Sequence, residues 1–191
     1  MRAGGFDSRE TAVHEGIVVT ITATGIFRQP ERLAHLVAGS ARFQTVVGAA
    51  DATEALAFTE WPWTDESSDT WPRAIITQNA DWRMTQSGTK NWSVQGSLFL
   101  VFQFSVPTSA GATTEKDQYH WFMNQIGQIV AEMKVLEGTA EPFPGETHLA
   151  IDFISVADGP YKDEESETEV PDPASSSLLP RWWIVLEVGY R

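Results

Sequence analysis

Cysteine is absent from all 191 residues. Disulfides, thiolate metal sites and a cysteine nucleophile are thereby excluded, and the composition fits synthesis in a cytoplasm. Long apolar runs are missing too. The longest, Leu98 to Phe102, falls far short of the roughly 18 residues that a membrane-spanning helix needs. The N-terminus, MRAGGFDSRETA, lacks the apolar core of a secretory signal. Basic charge is scarce, with 13 Lys and Arg against 26 Asp and Glu, for a net charge of −13. A surface of that sign repels phosphate backbones and anionic bilayers, which disfavours general nucleic-acid and membrane binding.

Signatures of chemistry are equally sparse. His14, His35, His120 and His148 show no H-x-x-x-H or H-E-x-x-H spacing. His148 and Asp152 would share a strand face, but no third ligand accompanies them. The chain contains no G-x-S-x-G elbow, no G-x-x-x-x-G-K-[ST] and no G-x-G-x-x-G. The acidic run from Asp163 to Glu169 lacks the D-x-[DN]-x-[DN]-G calcium pattern and reads as a solvated loop. Spacing is silent on a glycosidase carboxylate pair, whose members meet only in the fold. The expectation is a protein without catalytic residues, cofactor or metal.

What is present is a globular core. Hydrophobic residues make up 42% of the chain, too many for wholesale disorder. The stretch Asn91 to Gly138 organises it. NWSVQGSLFLVFQFSV (Asn91 to Val106) predicts a long strand with Leu98, Leu100, Phe102, Phe104 and Val106 on one face. Phe99 and Val101 make the other face apolar as well, so the strand belongs in the middle of a sheet. Thr114 and Asp117 approximate a capping box at the start of a helix. Phe122, Ile126, Ile129, Val130, Met133 and Leu136 form its apolar stripe, and Gly138 marks its end. Gly127, inside that helix, is read as a point of close packing on the sheet.

The rest of the chain adds elements around this pair. Residues 1 to 15 read as a loose arm. Gly16 to Gly25 reads as a β-branched strand, although Val13, Ile17 and Ile21 also fit a helical spacing. Pro30 opens a helix over Glu31 to Ala38, Ser40 caps a second over Ala41 to Val47, and Asp51 caps a third over Ala52 to Phe58. Two Trp-Pro pairs between Glu60 and Arg73 predict loop or extended backbone. Ala74 to Ala80 is a predicted strand, followed by a turn around Ser87-Gly88, so that it pairs antiparallel with the long strand. Leu149 to Val156 is a further strand, and Asp158 to Pro180 a long acidic, Ser- and Pro-rich loop. Arg181 to Arg191 closes the sheet. The predicted architecture is one α+β domain over residues 1–191. It has a four- to five-stranded, mainly antiparallel sheet, one long helix packed on it, and short N-terminal helices.

Tryptophan is abundant, with eight residues. Such rings fill a small core and its rim, form protein contacts, or stack on sugars. Acids and tryptophans mix in one place, where Glu60, Asp65, Glu66 and Asp69 surround Trp61, Trp63 and Trp71. These three tryptophans are the candidate protein-contact loop.

The order of elements resembles the tail-terminator (minor tail protein U-like) and tail-completion proteins at the head–tail junction of tailed bacteriophages. The matching stretches are FQTVVGAADATEALA (Phe43 to Ala57), WPRAII (Trp71 to Ile76), GSLFLVFQF (Gly96 to Phe104), FMNQIGQI (Phe122 to Ile129) and WWIVLEVGYR (Trp182 to Arg191). The likeness covers about residues 30 to 191 and is one of pattern. Those proteins usually begin with a helix, and the stretch before Arg28 departs from that. The resemblance implies a non-enzymatic virion component. It would assemble with itself as a ring, commonly a hexamer, and contact other tail or connector proteins.

Overall fold

The computed structural model describes residues 28–61, 71–86, 92–137, 150–163 and 179–190. Helices α1 (Gln29–Gly39), α2 (Ala41–Val47) and α3 (Ala52–Leu56) come first, and α4 (Glu115–Leu136) follows the central hairpin. Five strands make one sheet: β1 (Thr59–Glu60), β2 (Arg73–Gln86), β3 (Trp92–Ser105), β4 (Ile151–Lys162) and β5 (Arg181–Tyr190). Their spatial order is β1-β2-β3-β5-β4. Only β1, parallel to β2 over two residues, departs from antiparallel pairing. This is the α+β architecture that the sequence predicts.

Three of the four α-helices start where a side chain satisfies open N–H groups, while α1 has Pro30 in its first turn and no side-chain cap. Ser40 Oγ accepts from Phe43 N at 3.1 Å, Asp51 Oδ1 from Glu54 N at 2.9 Å, and Thr114 Oγ1 from Asp117 N at 3.2 Å. Gly48, at φ 76°, ends α2 in the left-handed conformation that glycine adopts without penalty.

The core is built on one face of the sheet. Leu98, Leu100, Phe102 and Phe104 of β3 join Ile184, Leu186 and Val188 of β5 beneath Phe122, Ile129 and Met133 of α4. Phe43 enters the same layer from α2. Its ring lies 6.2 Å from those of both Phe102 and Phe104, which are 5.4 Å apart, and Phe104 is 5.9 Å from Phe122. Tilted and edge-on rings at such distances add about 0.5–1.5 kcal/mol per pair to their burial.

Two polar clips tie the helices in place. Glu132 of α4 accepts from Ser40 Oγ at 2.7 Å and from Arg42 N at 2.9 Å, at the start of α2. Glu137 accepts from Ile151 N at 2.7 Å, and Lys134 Nζ donates to Ile151 O at 2.9 Å, which docks the end of α4 on the start of β4.

The short helices lie on the same face as α4, as Phe43 shows. The structure departs from the sequence reading in three ways. Gly127 is exposed, and a Cβ there would meet nothing within 4 Å. It lies a third of a turn from the buried stripe and has no packing role. β2 continues to Gln86 past a bulge between Gln78 and Trp82. β4 runs to Lys162 through Gly159 and Pro160, so the segment read as loop from Asp158 begins with strand. The arm, the Gly16 to Gly25 segment and most of the acidic loop lie outside the described residues.

Replacing Phe104 with alanine removes the ring that touches three others, and is expected to cost about 3–5 kcal/mol, read from the denaturation midpoint. A second expectation concerns Glu132. Burial works against its ionisation, but the Arg42 N–H, the Ser40 hydroxyl and the Arg42 charge outweigh it and hold the carboxyl below the ordinary glutamate range. A folded-state value below the unfolded one stabilises the fold at neutral pH, and this contribution is lost as pH falls through the folded-state value. Glu132→Gln should therefore be less stable than the parent near neutral pH, with the gap closing as pH falls through and below the ordinary glutamate range.

Candidate functional site: the open face of the sheet

Alternation in β3 and β5 turns Phe99, Val101, Gln103, Trp183, Val185 and Glu187 away from the helices. The strand register sets them in rows. Ile75, Val101 and Val185 form one row, and Arg73, Gln103, Trp183 and Tyr161 form another. The next row is Thr77, Phe99, Glu187 and Ser155. Ile75, Phe99, Val101, Trp183 and Val185 are all half-buried, and no helix among the described residues packs over them.

The polar side chains on this face are ordered. Arg73 Nε donates to Gln103 Oε1 at 2.6 Å, and the Arg73 guanidinium stands 3.5 Å from Glu60. Asn79 Nδ2 donates to Ser97 Oγ at 2.8 Å. Tyr161 lays its ring 4.8 Å from that of Trp183 and donates its hydroxyl to Asp158 at 2.7 Å. That hydrogen bond and the Asp158 charge push the phenol above the usual tyrosine range, so it stays a neutral donor.

At one end of the face the backbone of Gly189 makes room for an aromatic ring. A Cβ at Gly189 would collide with Phe153, which lies over it. Phe153, Arg83, Gln95, Asp152 and Glu187 line a hollow of about 320 Å³ there. At the opposite end a groove of about 530 Å³ runs along the rim between α2, α4 and the start of β2. Trp71, Pro72, Trp121, Val46 and Arg42 are among its walls.

β4 is the outermost strand and is the most exposed apolar element. Five large apolar side chains are exposed among the described residues, and three of them sit on β4: Phe153 (47%), Val156 (56%) and Tyr161 (47%). The other two, Tyr119 and Val135, lie far apart in sequence on α4.

The candidate tryptophans are divided. Trp61 is half-buried against the core cluster, which is the packing role. Trp71 lines the rim groove and sits under the Arg181 guanidinium, 5.3 Å from its ring centre. Trp63 lies outside the described residues. Trp61 and Trp71 thus play different parts, one in packing and one at the rim. Sequence reasoning missed Phe153, Tyr161 and Trp121 as surface residues. Tyr161 stands at the start of the acidic, Ser- and Pro-rich stretch that reads as loop, and Trp121 is adjacent to the buried stripe of α4.

Among the described residues no group of three His, Asp or Glu is placed to hold a metal ion, and no helix is long and apolar enough to cross a membrane. His35 is a half-buried helix residue whose burial, partly opposed by Glu31, holds it below the ordinary histidine range. No family model and no curated protein matches this sequence.

The Gly189–Phe153 contact gives a direct check on this geometry. Gly189→Ala should lift the Phe153 ring from the sheet and lower stability by on the order of 1 kcal/mol. In a Phe153→Ala background the same change should cost nothing measurable, a coupling that a double-mutant cycle reads.

Proposed function

We propose that this protein is a structural component of a phage or prophage virion, in the tail or neck region, acting by self-assembly into a ring that ends or joins the tail tube. The observation that carries the assembly part is the sheet itself, with the described helices on one face only and the edge strand β4 exposing Phe153, Val156 and Tyr161. A neighbouring subunit is the ordinary way to cover exposed apolar side chains on an edge strand. The head–tail part rests on the resemblance in element order, which the α+β sheet with α4 across it supports. The net charge of −13 suits a lumen through which DNA passes without sticking. In this reading the chain carries no active site, and its partners are further copies of itself and the tail or connector proteins above and below the ring.

A second reading is a small binding module that uses tryptophan to grip a carbohydrate or a protein. The rim groove, with Trp71 and Trp121 in its walls, is the observation that favours it. Light scattering on the purified chain across a range of concentrations separates the two. Ring assembly appears as one closed species of several subunits, commonly six. A strict monomer whose glycan or peptide binding is lost in Trp121→Ala favours the second reading.

A further inference from the structure

The two sides of the sheet are complementary in a way that one copy cannot use. On one side, β1 pairs only with Ala74 and Ile75, so beyond Ile75 the outer edge of β2 meets no strand among the described residues. On the other side, β4 likewise has no strand on its outer edge. Unpaired edges of this length are templates for further pairing. The strands alternate in direction across β2, β3, β5 and β4, so β2 and β4 run opposite ways. Copies placed side by side in the same orientation would continue the antiparallel pattern without a break.

Side chains point the same way. Phe153 and Val156 flank the outer edge of β4 and stand 47% and 56% exposed. Asp152 and Asp158 are exposed on the same strand. Pairing β4 with β4 about a two-fold axis would instead set aspartates against aspartates, which is unfavourable between neighbouring strands. Pro160 has no N–H to offer, so the usable part of β4 ends before it.

We infer that β4 of one copy, over residues 152–157 and beyond Ile151, whose backbone is held by Glu137 and Lys134, adds antiparallel to the outer edge of β2 in a second copy, beginning near Thr77. This rests on the assembly reading above and names its contact. It is a head-to-tail interface, which closes into a ring when the rotation per subunit divides a full turn. Phe153 and Val156 then pack on the neighbour on either side of the shared sheet.

The native chain has no cysteine, which makes a cross-linking test clean. Thr77 and Ser155 share a row but lie three strand spacings apart in one copy, about 14 Å. That exceeds the roughly 7 Å a disulfide can bridge, so no bond forms within a copy. Under oxidation the Thr77→Cys, Ser155→Cys double variant should give a ladder of covalent multimers on a non-reducing gel, and neither single variant should. Amide exchange above and below the assembly concentration is the companion measurement. Protection gained at both 152–157 and 77–79 supports the contact, even where a staggered register keeps the two cysteines apart. A covalent dimer of Ser155→Cys alone, or an oligomer whose protection lies elsewhere, overturns the edge contact and leaves the assembly reading standing. A strict monomer by light scattering contradicts both.

Discussion

The contact among Phe43, Phe102, Phe104 and Phe122 decides where everything else lies. β3 offers apolar side chains on both faces, so its sequence alone does not say which face the helices take. The larger rings at Phe102 and Phe104 settle it. They gather α4 through Phe122 and α2 through Phe43. Once both helices are on one side, α1 follows, because Ser40 joins it to α2 and bonds Glu132 on α4. The helical layer is then complete and one-sided.

That one-sidedness leaves a face and an edge with apolar character and no helix of the described residues over them. Phe153 covers Gly189, and Tyr161 covers Trp183, so the end strand already contributes a partial lid from within the chain. The strand that supplies those rings is itself exposed on its far side. Apolar side chains exposed on an edge strand carry a cost that a neighbour would remove, which is the physical basis for proposing that the chain is an assembly subunit. Among the carboxylates, Glu132 and Glu137 hold helices in place.

Much of the fold was legible because strong local signals agreed with the packing. Ser40, Asp51 and Thr114 cap helices as their types and spacing imply, and the alternation from Leu98 to Phe104 matches the buried face residue by residue. The failures have physical reasons. Gly127 was credited with packing because glycine in a helix is costly, yet cost alone does not say which side it faces. Gly159 and Pro160 look like the end of a strand, but an edge strand tolerates both because its outer N–H groups need no partner. The site was the least legible part. Trp61, Trp63 and Trp71 are neighbours in sequence, whereas the exposed apolar cluster depends on β4 lying at the edge, beside β5. That order follows from the closing strand inserting between β3 and β4, which no local pattern reveals.

The central claim is that the exposed edge strand β4 is what the assembled protein covers. Hydroxyl-radical footprinting tests it most directly, by comparing side-chain oxidation below and above the concentration at which the chain associates. The account requires Phe153 and Val156 to lose reactivity on association, while Tyr119 on α4 keeps its own. Association that leaves those two side chains as reactive as before, and protects the helical side instead, would contradict it.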